Sequence, residues 1–255
     1  MTKKKPSSAK KKGSGSIVLI MVFILAFACG AMAVWFYMNR RTDIPPKNAF
    51  QIDKPEGFAS FGIDVSHHQG PIDWEQLFYA HQLDSVIDFV YCKATEGVDH
   101  VDTQWENNRR ALLQLNKPHG AYHFFSTKTD PLIQAQHFLR HWRPKQNDLP
   151  PVLDVEVEAD SDPELLVAVK IWLDAVERMS GMRPIIYTSL LFYEQKFRYE
   201  FNDHLFWIAA YSRRPACLNE ERIIHWQYSD AGELPVFETK IDFNVSKVTL
   251  DPISD

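Results

Sequence analysis

From Phe61 onward the chain alternates between two apolar rhythms. Short, nearly continuous apolar runs read as buried strands at 61–65, 88–94, 119–125, 151–157, 183–189, 205–211, 223–229 and 240–245. Helical spacing fills most of the gaps. The clearest helix opens at Asp162-Pro163, carries Leu165, Leu166, Val169, Trp172, Leu173, Val176 and Met179 on one face, and stops at Gly181. Asp130-Pro131 places a cap before a first-turn proline for a helix over 132–142. Thr103 and Glu106 have the spacing of a capping box for a helix over 104–115, and 72–81 reads as a further helix. Strands separated by helices imply a parallel sheet, and eight of them imply closure into a barrel. The last two strands leave little room for a helix between them. The expected fold is therefore α/β, an irregular TIM-like (β/α) barrel with eight strands and fewer helices, occupying residues 60–255.

The first 59 residues follow a different pattern. Ile17 to Met38 is an uncharged, mostly apolar run of 22 residues, long enough to span a bilayer. Six lysines precede it and only Arg40 and Arg41 follow closely, which predicts a cytoplasmic tail (1–16), a transmembrane anchor (17–38) and an exported remainder. Trp35 and Tyr37 suit the outer interface. The rival is a cleaved signal peptide, with an A-x-A-like site at Ala31-Met32-Ala33; the continuation of the apolar run through Val34-Trp35-Phe36 favours an uncleaved anchor. Residues 39–59, with Pro45, Pro46 and Pro55 and little periodicity, read as a stalk.

Composition changes this picture in one respect. Of the 28 Lys+Arg, eight fall in residues 1–41, which hold no acidic residue, so the remaining 20 face 33 Asp+Glu, a net charge of −13. An acidic exported domain is a poor partner for nucleic acid, which rewards basic surfaces. Three cysteines are too few for a disulfide framework; Cys92 and Cys217 read as idle thiols, although a bridge between them is not excluded by sequence.

Acids recur near strand ends. Asp64 ends the first strand, Asp154 and Glu156 end the fourth, and Asp242 lies on the eighth. In α/β barrels chemistry gathers at the carboxyl ends of the strands. Residues i and i+2 share a strand face, so Asp154 and Glu156 project together, with Glu158 further out on the rim. Such acids can mark only a solvated face, but a strand entered through Pro150-Pro151-Val152-Leu153 is buried and has no such face to offer. Paired carboxylates suit glycosidic bond cleavage: one donates a proton to the leaving oxygen, the other stabilises positive charge at the sugar ring. Aromatic residues at the strand ends (Tyr122, Phe124, Phe125, Tyr187, Trp207, Tyr211, Trp226) suit sugar faces. His67-His68 follow Asp64, but adjacent residues on a strand end point apart and no metal-ligand spacing occurs, so neither metal nor cofactor is expected. No nucleophile elbow, P-loop or dinucleotide fingerprint is present.

Taken together, FGIDVSHHQGPIDW (61–74), VYCKATEG (90–97), GAYHFF (120–125), PPVLDVE (150–156), PIIYTS (184–189), WIAAY (207–211), HWQYS (225–229) and IDFN (241–244) resemble, in order, glycoside hydrolase family 25, the N-acetylmuramidase lysozymes. The resemblance implies an irregular barrel and hydrolysis of the β-1,4 bond between N-acetylmuramic acid and N-acetylglucosamine in peptidoglycan. It implies that Glu156 is the acid/base, Asp154 the supporting carboxylate, and Asp64 and Asp242 further active-site acids. Lys93, Tyr187, Tyr122, His123, Trp207, Trp226 and Gln227 are expected to contact the sugar. Net retention by substrate assistance is expected, the 2-acetamido oxygen attacking its own anomeric carbon. The alternative is a barrel that binds glycan without cutting it. Membrane tethering is expected to stand in for a wall-binding module.

Overall fold

A computed structural model describes residue 32, residues 53–145 and residues 148–250. The chain divides into two units, 1–46 and 47–255, and only Met32 of the first is described. Apart from Met32, the predicted anchor therefore lies outside the described residues, as does most of the stalk. Among the described residues, no helix is long and apolar enough to cross a membrane.

The eight expected strands all form: β1 (Ser60–Val65), β2 (Phe89–Glu96), β4 (His119–Phe124), β5 (Val152–Asp154), β6 (Ile185–Ser189), β7 (Phe206–Ala209), β8 (Ile223–Gly232) and β9 (Ile241–Ser246). A two-residue β3 (His100–Val101) folds back on the end of β2. The ring runs β1-β9-β8-β7-β6-β5-β4-β2 and closes through β1–β2. Every neighbouring pair is parallel except those of β9, which runs antiparallel to both β8 and β1. The cause is the short link between β8 and β9. A parallel return needs a crossover of a dozen or more residues, and a hairpin does not.

That reversal places Asp242. It lies at the start of β9, which would be the closed end of a parallel strand. In the antiparallel strand it faces Asp64 directly, at the mouth.

Two apolar layers result. Phe89, Tyr91, Val152, Ile185, Tyr187 and Trp207 fill the barrel interior. The opposite strand faces, including Ile63, Cys92, Leu153, Ile186 and Ile208, meet the helices outside. Glycine sits where an interior ring needs the space: a Cβ on Gly120 would lie 2.0 Å from the Tyr91 ring, and one on Gly62 2.5 Å from the Phe89 ring.

The outer helices are α1 (Trp105–Gln114), α2 (Pro131–His141) and α3 (Asp162–Ser180). Asp130 caps α2 as expected, accepting from the Leu132 and Ile133 amides. Asp162-Pro163 opens α3 as expected, with Ser161 as its cap, and Gly181 ends it in the left-handed region. Met179, placed on the apolar face of α3 by spacing, is exposed at the last turn.

Three local expectations fail. No capping box opens α1; its N-cap is Gln104, whose amide donates to Asp102. The stretch 72–81 settles into a short turn, Gln76–Ala80, with i+5 spacing, rather than a regular helix. His67 and His68 lie on a 3-10 turn, not a strand end, so their rings lie 4.1 Å apart, tilted by 37°, instead of diverging. Cys92 and Cys217 are both buried and unbridged.

Candidate active site

Asp154 is the last residue of β5, and the ladder holds it from both sides. The Phe125 amide donates to the Asp154 carbonyl, and the Val155 amide donates to the Tyr187 carbonyl. The Thr188 hydroxyl then donates to the Val155 carbonyl at 2.7 Å. The regular strand ends here, three residues short of the expected 157. Glu156 therefore projects from the first turn beyond the strand, exposed, while Asp154 stays buried. Both line one cavity of about 300 Å³ at the barrel mouth, together with Asp64, Asp242, Tyr122, Tyr187 and Trp207. Glu158 turns away to the rim, where it pairs with Lys196 at 2.9 Å.

The opposite wall is a net of amides. Asp64 Oδ2 accepts from Gln227 Nε2 at 2.9 Å and from Asn244 Nδ2 at 2.7 Å. Gln227 Oε1 in turn accepts from the Tyr187 and Tyr211 hydroxyls, each at 2.7 Å. Asn244 Oδ1 accepts from Trp207 Nε1 at 3.0 Å. The oxygen end of each amide is thus held by aromatic donors, which aims its nitrogen end at Asp64 and fixes the carboxylate in one orientation.

Four acids around one small cavity cannot all ionise freely. Burial, and then the charge of Glu156, hold Asp154 well above the ordinary carboxylate range, with Lys93 opposing. Burial also raises Asp64, against the lowering effect of the Asn244 and Gln227 hydrogen bonds. Asp242 is pushed up to about 8 by burial and by the neighbouring Asp64 charge. Burial and mutual repulsion thus favour the protonated form at Asp154, Asp64 and Asp242. Asp154 Oδ1 is buried without a hydrogen-bond partner among the described residues. A polar atom of that kind is costly unless a ligand satisfies it.

Of the residues expected at the site, Glu156, Asp154, Asp64, Asp242, Tyr122, Tyr187, Trp207 and Gln227 are brought together. Lys93 stands one step back, over the Phe124 ring and paired with Glu96 at 2.7 Å, close enough for its charge to act on Asp154. Two further residues do not line the cavity. His123 points out of the barrel. It is fully buried between Thr95, Gln134 and the Trp172 ring, and burial lowers it to about 3, so it is a neutral core residue. Trp226 also points outward and donates to the Ala210 carbonyl at 2.8 Å. The reason is shared: Tyr122–His123 and Trp226–Gln227 are strand neighbours, and only one of each pair can face inward.

Sequence reasoning did not single out Asn244 or Asp230, and left Tyr211 without a role. The signal for Asn244 was present, since it stands two residues from Asp242 on the same strand face. Asp230 also borders the cavity, and its charge contributes to the rise of Asp242.

Residues 63–236 match the sequence model of Glycosyl hydrolases family 25. The chain is 34% identical over 209 residues to the Escherichia coli (strain K12) protein YegX, covering 82% of this chain and 77% of that protein. It is 26% identical over 174 residues to a protein of Clostridium acetobutylicum named autolytic lysozyme, covering 68% of this chain and 51% of that one. Among solved structures, a family 25 glycosyl hydrolase from Bacillus anthracis superposes with a TM-score of 0.69 at 26% identity, covering 79% of this chain and 94% of the other. The closed barrel with one antiparallel strand, the acids gathered at its mouth and the family match over most of that barrel lead to one assignment: the chain belongs to glycosyl hydrolases family 25, and it is a glycoside hydrolase.

Proposed function

We propose that this protein is a peptidoglycan hydrolase, a muramidase that cleaves the β-1,4 bond between N-acetylmuramic acid and N-acetylglucosamine with net retention. The observation that carries the reading is the pairing of an exposed Glu156 with a buried, incompletely bonded Asp154 at one cavity wall. The names of the Clostridium acetobutylicum relative and of the Streptomyces globisporus lysozyme M1, 35% identical over 99 residues, support the substrate class.

The division of labour follows from position. Glu156 is free to reach a leaving-group oxygen, so it gives the proton and later takes one from water. Asp154 is fixed by the ladder and accepts the N–H of the 2-acetamido group, which turns that group's oxygen toward the anomeric carbon. Accepting this bond weakens Asp154's hold on its proton, which passes to Glu156 across the hydrogen bond between the two carboxyls, and ionised Asp154 then stabilises the cyclic cation formed by the substrate's own amide. Asp64, oriented by Gln227 and Asn244, adds fixed negative potential on the far wall, and Asp242 shares the proton of that pair. Tyr187 and Tyr122 remain protonated, because burial and the surrounding acids push both well above the ordinary phenol range.

Digestion of purified peptidoglycan, with products read by mass spectrometry, should yield muropeptides ending in reducing N-acetylmuramic acid. Reducing N-acetylglucosamine ends would overturn the bond assignment. NMR of the first-formed product should show the β-anomer; an initial α-anomer, or a sugar ester trapped on Asp154, would overturn substrate-assisted retention.

The same reading includes a tether. Six lysines before the apolar run 17–38 and two arginines after it support an N-terminus inside and a barrel outside the cytoplasm. A reporter fused at Asp255 should work only if it is of the kind active outside, and the mature protein should keep its original N-terminus. A new terminus at Val34 would make the segment a cleaved signal.

A further inference from the structure

β2 carries a one-residue irregularity at its mouth end. Lys93 stands opposite Tyr122 and Thr95 opposite His123, so two residues of β2 face one step of β4. Residues three apart on a regular strand face opposite ways, but an extra residue turns the later one round. Lys93 and Glu96 therefore project on the same side, and the Lys93 ammonium donates to Glu96 Oε2 at 2.7 Å. Past the irregularity the register resumes: Glu96 stands opposite Phe124, and Phe124 opposite Asp154. The backbone of Glu96 is pinned on its other side by His100 of β3. The ammonium lies over the middle ring of this row, 4.8 Å from the Phe124 centroid, with a carboxyl on the strand to either side. The two carboxyls are unequal. The Glu96 side chain is 43% exposed, whereas Asp154 is buried. Attraction is stronger in the drier setting, yet the ammonium pairs with the wetter acid, and Asp154 Oδ1 is left without a hydrogen-bond partner among the described residues.

We propose that Glu96 is a positioning residue that holds the Lys93 ammonium off Asp154 and so keeps Asp154 Oδ1 open for the acetamido N–H of the substrate. The proposal rests on the glycan-cleaving reading and adds what prevents an ion pair at its reactive wall. β2 and β5 flank β4, two strand spacings or about 9–10 Å apart, a gap that a lysine stem from one side and an aspartate from the other span across the Phe124 ring. Released from Glu96, the ammonium turns to Asp154. It then takes up the acceptor that the substrate amide needs, and it lowers the proton affinity of the Asp154–Glu156 pair, whose proton the leaving oxygen needs. The groups facing Asp154 are Glu156 on its own segment, Asp64 on β1, Lys93 on β2, Tyr122 on β4, Tyr187 on β6 and Asp242 on β9. Of these only Lys93 is a cation, and it already opposes the rise that burial and then Glu156 impose on Asp154. The strength of that opposition is set by how far away Glu96 keeps it.

The test is a double-mutant cycle of Glu96→Ala and Lys93→Met in the full-length protein, acting on purified peptidoglycan. Glu96→Ala should lower kcat/KM about tenfold, the kinetic weight of one bond to a charged group. The alkaline limb of its pH–rate profile should move down by about one pH unit, because a nearer cation makes the Asp154–Glu156 pair release its shared proton earlier. In the Lys93→Met background the same substitution should cost under about twofold and leave the limb in place, since no ammonium remains to be released. Equal losses in both backgrounds, or an unmoved limb in Glu96→Ala, overturn the proposal. Glu96→Gln keeps the shape of the side chain and should show a weaker form of the same shift, so it carries the test if Glu96→Ala fails to fold. A second readout needs no turnover. Carbon NMR of labelled aspartate should show Asp154 ionising about one pH unit lower in Glu96→Ala than in wild type, and at one pH in Lys93→Met with or without Glu96→Ala. A wild-type titration of Asp154 in Glu96→Ala overturns the proposal. If the wild-type protein cuts no peptidoglycan while that shift is seen, the cleavage reading fails and the restraint by Glu96 stands.

Discussion

The two walls of the mouth carry the same kind of residue in opposite states. On the β5 side, Asp154 is buried with one oxygen unpartnered and Glu156 is exposed just past the strand end. On the β1–β9–β8 side, Asp64 accepts from two amides, each anchored again by an aromatic donor. A carboxylate that must exchange a proton or meet a substrate has to keep bonding capacity free. A carboxylate that only supplies charge in a fixed direction is best when saturated. On the proposed mechanism, catalysis divides between a reactive wall and a rigid one.

The hardest blow to the reactive wall is Glu156→Gln. It should lower activity by about 10²–10⁴-fold, the usual worth of a general acid, while the melting temperature stays close to wild type because the residue is exposed. Near-normal turnover by the folded variant would dissolve the contrast. The matching blow to the rigid wall is Asn244→Ala. It removes one donor from Asp64 and the acceptor of the buried Trp207 indole, so it should cost about 1–3 kcal/mol of stability. Loss of one bond to a charged group, about 1.5 kcal/mol, should lower kcat about tenfold. Since that bond holds the Asp64 carboxyl down, its pKa should rise further, and the acidic limb of the pH–rate profile should move upward. If Asn244→Ala changed stability alone, the net would be scaffolding without electrostatic consequence.

Most of the first wall was legible in sequence, and much less of the second. An apolar run that ends in acids locates a strand end at a mouth without knowledge of partners. The positions of Asp64 and Asp242 were equally plain, but their meeting depends on β9 running antiparallel, which only the short β8–β9 link foreshadows. His123 and Trp226 face away from the cavity because strand alternation lets only one of two adjacent residues face inward, and composition alone does not say which. The start of α3 at Asp162 was legible, because a proline in the first turn marks it. The packing of residues 53–58 was unreadable. A lone Pro55 and a lack of periodicity describe a free stalk as well as a segment fixed by Phe58 on Trp226.

The rigid wall also predicts a pH dependence of stability. A carboxyl whose pKa is raised by folding binds its proton more tightly in the folded state. Its contribution is fully present below the unfolded value near 3.8 and is lost as pH rises through the folded value, about 8 for Asp242. Asp64 and Asp154 shift in the same direction, so thermal stability should fall between about pH 4 and pH 8. Asp242→Asn should flatten part of that fall, by about 2–4 °C if the group contributes near 1 kcal/mol in a domain of this size. A slope unchanged in Asp242→Asn would mean that the proton resides elsewhere in the cluster.

The smallest expected effect concerns the third acid of the Asp154–Glu158 run, and it sharpens the comparison by its smallness. Glu158 has the spacing to continue the face of Asp154 and Glu156, yet the regular strand ends at Asp154 and the chain has turned by the time it reaches Glu158. Its carboxylate lies at the rim against Lys196, which Asp162 also engages. Exposed pairs of this sort contribute about 0–1 kcal/mol, and here Asp162 remains to hold Lys196 if Glu158 is neutralised. Glu158→Gln should therefore leave kcat/KM within about twofold of wild type and stability within about 0.5 kcal/mol. A large loss of activity would mean that the reactive wall extends past Glu156 along the rim and that position relative to the strand end does not separate the reacting acids from the solvated ones. A null effect beside the large loss in Glu156→Gln would locate the boundary between them at the turn that follows β5.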